Sequence, residues 1–533
     1  MPGVTAFSFL LRIHTCAAVV GVLPALLAAA HEPAHVSRVA PLPLRVLTYG
    51  RSANGFLSPP HGWNPWGLLA NHKLNQTQAA VLGQCSQLRP HGLSRPVCSL
   101  DSGWSSGCSG DAYGRIIPES KKFPDMALLG RKLRSGPSNA ELGVYVIPGT
   151  FSADRDKVIL GTNITLGSTW KEQDVKKHSK FCRMEFDFAR PGVQEWHNSV
   201  VNLLCEDYGV AYIKLDFMCP TLSPDGCKGF VDSRPAAAMY HAAIERSKCK
   251  GSMRLGLSWM LDWRRQYWES WNETADSMRT DEDINNSDKT ELVRFSTVQR
   301  AIERYRVFVN SLAEGLVSES PAAHVGIRPD MDNMFVANPL KLSGLRFEQR
   351  LTMAMHWIGA GANIFEGGDL AQMDNLGEQL LYDPRIYAAG GIVDRFSMHP
   401  MQPRNPKPPV GCPSHWPWRA GGGSPQQLQA WIAGPNAVGD ALVILSNLGP
   451  DEHPRTGPGK TGTFMTQCVG TLRLQISFRE LGLEVGNSSY RVSVVWDGRQ
   501  HRRQATTAQS LDSEALVQEL GPWESIMYTL SKV

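Results

Sequence analysis

Ala211-Tyr-Ile-Lys-Leu-Asp-Phe217 decides the fold. On a strand, successive side chains point to opposite faces. Tyr212, Lys214 and Asp216 then share one face, and Ile213 and Leu215 share the other. An apolar outer face with an ionisable inner face suits a barrel strand that ends in a functional carboxylate. Outward from this stretch, short apolar segments recur at 61–66, 97–101, 142–147, 253–259, 277–280, 325–328 and 361–365. Helical patterns lie between several of them. One covers 289–312, with Leu292, Val293, Val298, Ile302, Tyr305 and Val309 near helical spacing; others cover 235–248 and 346–358. Eight strands alternating with helices predict a (β/α)8 TIM barrel over residues 31–400.

The texture then changes. Residues 401–425 are rich in Pro and Gly and read as a linker. Beyond it, 441–448, 470–477, 488–496 and 525–530 read as short strands between turns, predicting an antiparallel β-sandwich domain over 426–533. No internal repeat interrupts either half.

The 533 residues carry 54 basic and 50 acidic side chains, a net charge of +4 without any block of like charge. Neither nucleic acid nor an anionic membrane is indicated as a partner. Arg12 and His14 precede an apolar run from Cys16 to Ala30 that ends in Ala28-Ala29-Ala30, the pattern of a signal peptide (residues 1–30) cleaved before His31. The run is shorter than the roughly 20 apolar residues of a membrane span. Eleven cysteines fall to ten once Cys16 is removed, an even number that suits disulfides in an oxidising compartment. Cys98/Cys108 and Cys219/Cys227 are close enough in sequence to pair locally, and connectivity stays open. Sequons stand at Asn75, Asn163, Asn272, Asn285 and Asn487. Together these features predict a secreted, extracellular glycoprotein. No Cys/His spacing resembles a zinc site, and no metal or cofactor is expected. Oligomeric state is not encoded legibly.

A second stretch, Met278-Arg-Thr-Asp-Glu-Asp-Ile284, offers another carboxylate beside an arginine. Two positioned carboxylates are the minimal equipment for cleaving a glycosidic bond. Fifteen Trp and twelve Tyr fit a sugar binder, since sugars stack their C–H faces on aromatic rings, although aromatics more often fill cores.

Six motifs in order resemble glycoside hydrolase family 27, the α-galactosidases and their relatives in clan D. Pro59-Pro-His-Gly-Trp-Asn-Pro-Trp66 is similar to the family's opening Pro-Pro-Met-Gly-Trp-Asn-Ser-Trp. Leu100-Asp-Ser-Gly-Trp104 resembles its Asp-Asp-x-Trp segment, and Gly114-Arg-Ile-Ile-Pro118 with Lys122-Phe-Pro124 resembles the loop that follows. Tyr212-Ile-Lys-Leu-Asp216 resembles the nucleophile strand, Met278–Ile284 the acid/base segment, and Pro329-Asp-Met331 the seventh strand. The resemblance spans roughly residues 58–370. It implies a retaining, metal-free α-galactosidase acting on an oligosaccharide or polysaccharide by double displacement, with a β-sandwich after the barrel. Asp216 is then the nucleophile, Asp283 the general acid/base, and Lys214 and Arg279 contact the sugar.

Each residue also has a plainer reading. Lys214 should lower the pKa of Asp216 by charge proximity, yet an isolated Lys-x-Asp is more often a structural pair. Asp283 must give and then take a proton; the alternative is that Asp281, Glu282 and Asp283 form a solvated acidic turn. Arg279 either forks onto sugar hydroxyls or pairs with Asp281 or Asp283. Trp63, Trp66 and Trp104 are candidate sugar-stacking walls, with barrel-end packing preferred for Trp66. Asp330 and Met331 are candidate pocket residues, with Asp330 equally suited to capping a strand end. His356, in a predicted helix, reads as structural.

Three departures from the family pattern bear on specificity. The family's two adjacent Asp residues, both ligands of galactose hydroxyls, become Asp101-Ser102. The family's Cys-Glu-Trp or Cys-Asn-Trp after strand five becomes Leu257-Ser-Trp259, placing Ser258 at the middle position. Residues 150–180 do not match the family loop. α-Galactosidase is the expected activity; β-L-arabinopyranosidase, α-N-acetylgalactosaminidase and an isomaltose-releasing dextranase are the alternatives within the clan. A secreted carbohydrate-binding protein without turnover is the alternative outside it.

Overall fold

The structure, a computed structural model, describes residues 47–90, 94–171, 182–222, 227, 232–316, 324–410, 412, 414, 427–450, 468–483, 489–498, 509–511 and 515–533. The predicted signal peptide, most of the predicted linker and Asn487 lie outside the described residues.

Eight parallel strands form one sheet: β1 (His61–Trp63), β2 (Val97–Ser99), β3 (Glu141–Val146), β4 (Val210–Leu215), β5 (Arg254–Leu257), β6 (Ser277–Arg279), β7 (Arg328–Asp330) and β8 (Ile364–Glu366). They are hydrogen-bonded in the order β7-β6-β5-β4-β3-β2-β1-β8, which is sequence order wrapped round to the last strand. The seam between β7 and β8 is closed by the Asn363 N–H donating to the Pro329 carbonyl at 3.1 Å. This is the TIM barrel that the spacing of apolar segments predicted.

The helices that follow the strands are α1 (Gln78–Cys85), α2 (Met126–Ser135), α3 (Val193–Asn202), α4 (Arg234–Arg246), α5 (Arg265–Thr274), α6 (Phe295–Leu316), α7 (Phe347–Gly359), α8 (Asn375–Tyr382) and α9 (Pro384–Val393). Their starts are written in the sequence. The Thr77 hydroxyl accepts from the Ala80 N–H at α1 and the Asp125 carboxylate from the Leu128 N–H at α2, satisfying donors that the first turn leaves free. On β4, Ile213 and Leu215 join the large core beneath the helices, while Tyr212 packs inside the barrel with Val97 of β2 and Phe365 of β8. Such a layer from alternate strands is the usual filling of an eight-stranded barrel. Gly256 on β5 makes room for it: a Cβ there would lie 2.3 Å from the Tyr212 hydroxyl.

One strand starts later than expected. Val325 does not belong to the barrel; His324–Val325 pairs with Thr48–Tyr49 outside it. Between the two pairings the Asn272 side-chain carbonyl accepts from the Gly326 and Ile327 N–H groups at 2.9 and 3.0 Å, so this segment bonds a side chain, and the barrel strand begins at Arg328.

The C-terminal strands are β9 (His399–Met401), β10 (Leu428–Ala433), β11 (Ala441–Asn447), β12 (Leu472–Ser477), β13 (Tyr490–Asp497), β14 (Gln509–Leu511), β15 (Ala515–Leu520) and β16 (Ser525–Lys532). Six make an antiparallel sheet in the order β9-β10-β11-β16-β13-β14, and β12 pairs with β15 in a second layer. Alternation decides the two faces. Trp431, Ala433, Leu442, Ile444 and Met527 join the barrel's core. Their neighbours Leu428, Ala430, Ile432, Val443, Leu445 and Tyr528 form a second core with Leu472, Leu474 and Leu520. The sheet is therefore sealed onto the barrel, and Leu44–Val533 is one compact unit. Arg404, in the predicted linker, already bridges Gln475 of β12. On α6, the Gln299 side-chain amide donates to the Leu448 carbonyl beyond β11 at 2.8 Å.

Five disulfides join Cys85–Cys98, Cys108–Cys182, Cys205–Cys249, Cys219–Cys227 and Cys412–Cys468. The local Cys219–Cys227 pair forms. Cys98 and Cys108 do not pair with each other: Cys98 sits on β2 and is buried against Cys85 of α1, which leaves Cys108 to tie the loop after β2 to the loop around Cys182. Among the described residues, no helix is long and apolar enough to cross a membrane.

Candidate active site

The strands deliver the predicted side chains to one mouth because each sits at or just beyond a C-terminal strand end: Asp101 after β2, Asp216 after β4, Ser258 after β5, Arg279 on β6 and Asp330 on β7. Backbone pairing holds β4 in register, with the Asp216 N–H donating to Val146 and the Ser258 N–H to Leu215.

Asp101 organises one side. Its Oδ2 accepts from Lys214 Nζ at 2.9 Å and Asn64 Nδ2 at 2.8 Å, and its Oδ1 from the Ser102 N–H at 2.8 Å. Gln76 fixes the same turn by accepting from the Asp101 N–H at 2.9 Å. The Lys214 ammonium is thus committed to Asp101, not to Asp216 as the sequence suggested. Burial pushes the Asp216 carboxyl above its usual range; Lys214 pulls it down and Asp283 pushes it further up. The lysine lowers the value as expected, and desolvation outweighs it, so the net direction is upward. Asp216 Oδ1 is buried and has no hydrogen-bond partner among the described residues. Tyr145 of β3 lies beside it; burial and then the Asp216 charge hold its phenol far above the ordinary range.

Arg279 organises the other side. Its guanidinium, 2% exposed, faces three carboxylates: Asp283 at 3.0 Å, Asp332 at 3.0 Å and Asp330 at 3.5 Å. It gathers these carboxylates, including the Asp283 pairing that the sequence allowed. Asp283 is the open member of the group, 40% exposed. Its second oxygen accepts from Trp66 Nε1 at 3.0 Å, which overturns the preference for Trp66 as mere packing.

The acidic turn is held by an arginine, with Asp281 buried and Glu282 and Asp283 partly exposed. Arg300 of α6 donates to Asp281 at 2.7 Å, to the Glu282 carboxylate at 2.6 Å and to the Asp283 carbonyl at 2.9 Å. Burial raises Asp281 above its usual range against the pull of Arg300.

Trp63, Trp104 and Met331 are fully buried. They support the mouth from behind and present no stacking face; the Trp63 and Trp104 indoles donate to the Gly368 and Tyr145 carbonyls at 2.8 and 2.7 Å. Asp330 and Ser258 are buried at strand ends, and Ser102 is exposed beside Asp101. Asp330 Oδ1 accepts from the Asp332 N–H at 2.8 Å, the strand-end cap that the sequence allowed. His356 is buried on α7, away from the mouth. Sequence reasoning missed Asn64, Tyr145, Arg300 and Asp332. Only Asp332 carried a signal, as the second acid of Asp330-Met-Asp332. Three non-glycine residues that follow strand ends here, Phe217, Trp259 and Asp332, have φ of 56°, 85° and 74°. Left-handed backbone of this kind is concentrated at functional sites. Phe217 and Trp259 stack at 4.5 Å between ring centroids. Among the described residues, no group of three or more His, Cys, Asp or Glu side chains is arranged to hold a metal ion.

No protein-family model matches the chain. It is 35% identical over 479 residues to alpha-galactosidase 3 of Hypocrea jecorina, covering 86% of this chain and 70% of that one. It is 33% identical over 454 residues to putative alpha-galactosidase 8 of Emericella nidulans, covering 82% of each. A family 27 β-L-arabinopyranosidase from Geobacillus stearothermophilus has the same fold, with a TM-score of 0.65 at 17% identity over 89% of this chain and 96% of that one. The chain belongs to glycoside hydrolase family 27. The family 27 fold extends through the C-terminal sheets: an α-galactosidase of Saccharomyces cerevisiae superposes with a TM-score of 0.58 at 14% identity, over 91% of this chain and all of that one. In this family 27 hydrolase Asp216 and Asp283 occupy unlike surroundings: Asp216 is desolvated, with one oxygen unpartnered among the described residues, and Asp283 is open with two donors.

Proposed function

We propose that the protein is a secreted α-galactosidase that releases terminal α-D-galactose from oligosaccharides by double displacement. The buried Oδ1 of Asp216, which has no hydrogen-bond partner among the described residues, carries this reading. A carboxylate oxygen with no hydrogen bonds to surrender is ready to attack an anomeric carbon.

In the first step Asp216 bonds to C1 as the C1–O bond breaks, and Asp283 gives its proton to the departing oxygen. In the second, Asp283 takes a proton from water, the hydroxide bonds to C1, and the C1–Asp216 bond breaks. Two inversions leave the configuration retained. The geometry supports this division of labour. Asp283 is open to the leaving group and to water, and Arg279 and Trp66 occupy one lone pair on each of its oxygens. The remaining lone pairs can carry the proton. Loss of the Asp216 charge in the glycosyl-enzyme favours the ionised form of Asp283 that the second step needs. Asp101 and Lys214, locked together on the opposite side, bind sugar hydroxyls in this reading, as the family resemblance implies.

Two curated α-galactosidase relatives support galactose as the sugar. Five disulfides and the N-terminal apolar run support secretion. The test is hydrolysis of aryl α-galactoside, β-L-arabinopyranoside, α-N-acetylgalactosaminide and α-glucoside by the secreted protein, with Asp216→Asn as control. Turnover of the α-galactoside that is lost in the folded Asp216→Asn protein is expected. Turnover confined to another sugar reassigns the substrate, and full activity in Asp216→Asn refutes the nucleophile.

A further inference from the structure

Asp332 is buried just beyond β7 and touches no open surface, yet it meets the acid/base turn twice. Its Oδ1 faces Arg279 Nη2 at 3.0 Å, and its Oδ2 accepts from the N–H of Ile284, the residue after Asp283, at 2.8 Å. We propose that Asp332 is a positioning residue that aims Asp283 at the leaving oxygen, acting through Arg279 on one side and the Ile284 backbone on the other. This rests on Asp283 being the acid/base.

A guanidinium is a planar, rigid fork, so a carboxylate fixed on Nη2 sets the plane and with it the place of Nη1. Nη1 is the atom that donates to Asp283 at 3.0 Å. Asp332 is itself held hard. Its N–H donates to Asp330 at 2.8 Å, its Oδ1 accepts from the Asn333 N–H at 2.7 Å, and its carbonyl accepts from Trp357 Nε1 at 2.8 Å. Its φ of 74° is a conformation kept only where the surroundings enforce it. The array continues across the mouth: Asn333 Nδ2 donates to Asn64 at 3.0 Å, and Asn64 Nδ2 donates to the Asp101 that binds Lys214. One hydrogen-bonded frame thus spans the acid/base side and the proposed sugar-binding side.

The charged and titratable groups facing Asp283 are Arg279 on β6, Asp330 and Asp332 from β7, Lys214 and Asp216 from β4, Tyr145 on β3, Glu282 beside it and Arg300 on α6. Removing the Asp332 charge takes away a repelling anion and a competitor for Arg279. Both changes favour the ionised carboxylate at 283.

The test measures kcat/KM against pH for a 4-nitrophenyl glycoside and a methyl glycoside of the sugar that the wild type cleaves. The proteins are wild type, Asp332→Asn, Asp332→Gly and Asp283→Asn. Asn and Gly both accept a left-handed backbone, and a thermal melt confirms folding. Acid catalysis supplies roughly 10²–10⁴ in rate, most of it to poor leaving groups. Both Asp332 variants should therefore lose at least about tenfold more on the methyl than on the nitrophenyl substrate, in the same direction as Asp283→Asn. The basic limb of the profile should also move to lower pH. Equal loss on both substrates, or no loss, with an unmoved basic limb overturns the inference while Asp283→Asn keeps its selectivity. Equal loss in Asp283→Asn overturns the acid/base reading and the inference together.

Discussion

Replacing His356 by Leu tests how the two halves of the molecule are joined. His356 is buried on α7, with its Nδ1 at 2.7 Å from the Thr352 carbonyl, its Nε2 at 3.5 Å from the Ser446 hydroxyl, and its ring edge-on to Trp431 at 6.0 Å. Burial lowers its pKa from 6.5 to about 4, with the Thr352 hydrogen bond opposing. The folded protein thus keeps the ring neutral where the unfolded chain would protonate it. Stability from this group is intact above about pH 6.5 and is lost as pH falls toward about 4. With these two values, the loss between pH 7 and pH 5 is about 1.8 kcal/mol. Leucine is close to histidine in volume and does not titrate. Thr352 keeps its helical bond, while Ser446 keeps its bond from Ser525 at 2.9 Å and loses the acceptor of its own proton, a cost that is the same at both pH values. His197 and His399, each also lowered by burial to about 4, are present in both proteins and cancel in the comparison. So do Glu366 and Asp332, raised by burial to about 7 and about 6, which gain stability as pH falls. Urea unfolding of wild type and variant at pH 7 and pH 5 reads the effect: relative to wild type, His356→Leu should gain about 1.8 kcal/mol at the lower pH. A difference between the proteins that is the same at both pH values refutes the reasoning.

Trp66→Phe removes one donor from Asp283 while keeping an aromatic ring. At a site 40% exposed this should cost about 1–1.5 kcal/mol, a five- to tenfold fall in kcat/KM on an aryl α-galactoside. Asp101→Asn leaves the Lys214 ammonium, 11% exposed, without its counter-ion. Urea unfolding should show a loss of about 3 kcal/mol, most of it recovered in the Asp101→Asn/Lys214→Met double variant. Ser102→Asp restores the family's second carboxylate at an exposed position and should raise kcat/KM on the same galactoside by about tenfold; no change would mean that another residue reads that hydroxyl.

Alternation made the barrel legible. Period-two patterns such as Tyr212/Lys214 against Ile213/Leu215 mark strand faces without reference to anything distant. The same local signal failed at Val325, where Asn272, more than fifty positions upstream, captures the backbone. The site was legible as a set of residues but not as a set of partnerships. Lys214 and Asp216 are neighbours in sequence, yet the lysine pairs with Asp101 across the barrel, and burial instead of charge governs Asp216. Arg300 was invisible because its meaning lies in what it holds, and Asp332 showed only as a second acid after Asp330. Cys85–Cys98 follows from a helix packing on a strand, which sequence spacing does not reveal.

Gln299 and Arg300 stand side by side on α6. One grips the C-terminal sheet at Leu448 and the other grips the turn that bears Asp283. The sheet is in that sense a mooring for the turn of Asp283, two residues and two hydrogen bonds away. A barrel trimmed of its C-terminal layers would lose more than solubility: the turn would be anchored to a helix that is itself adrift.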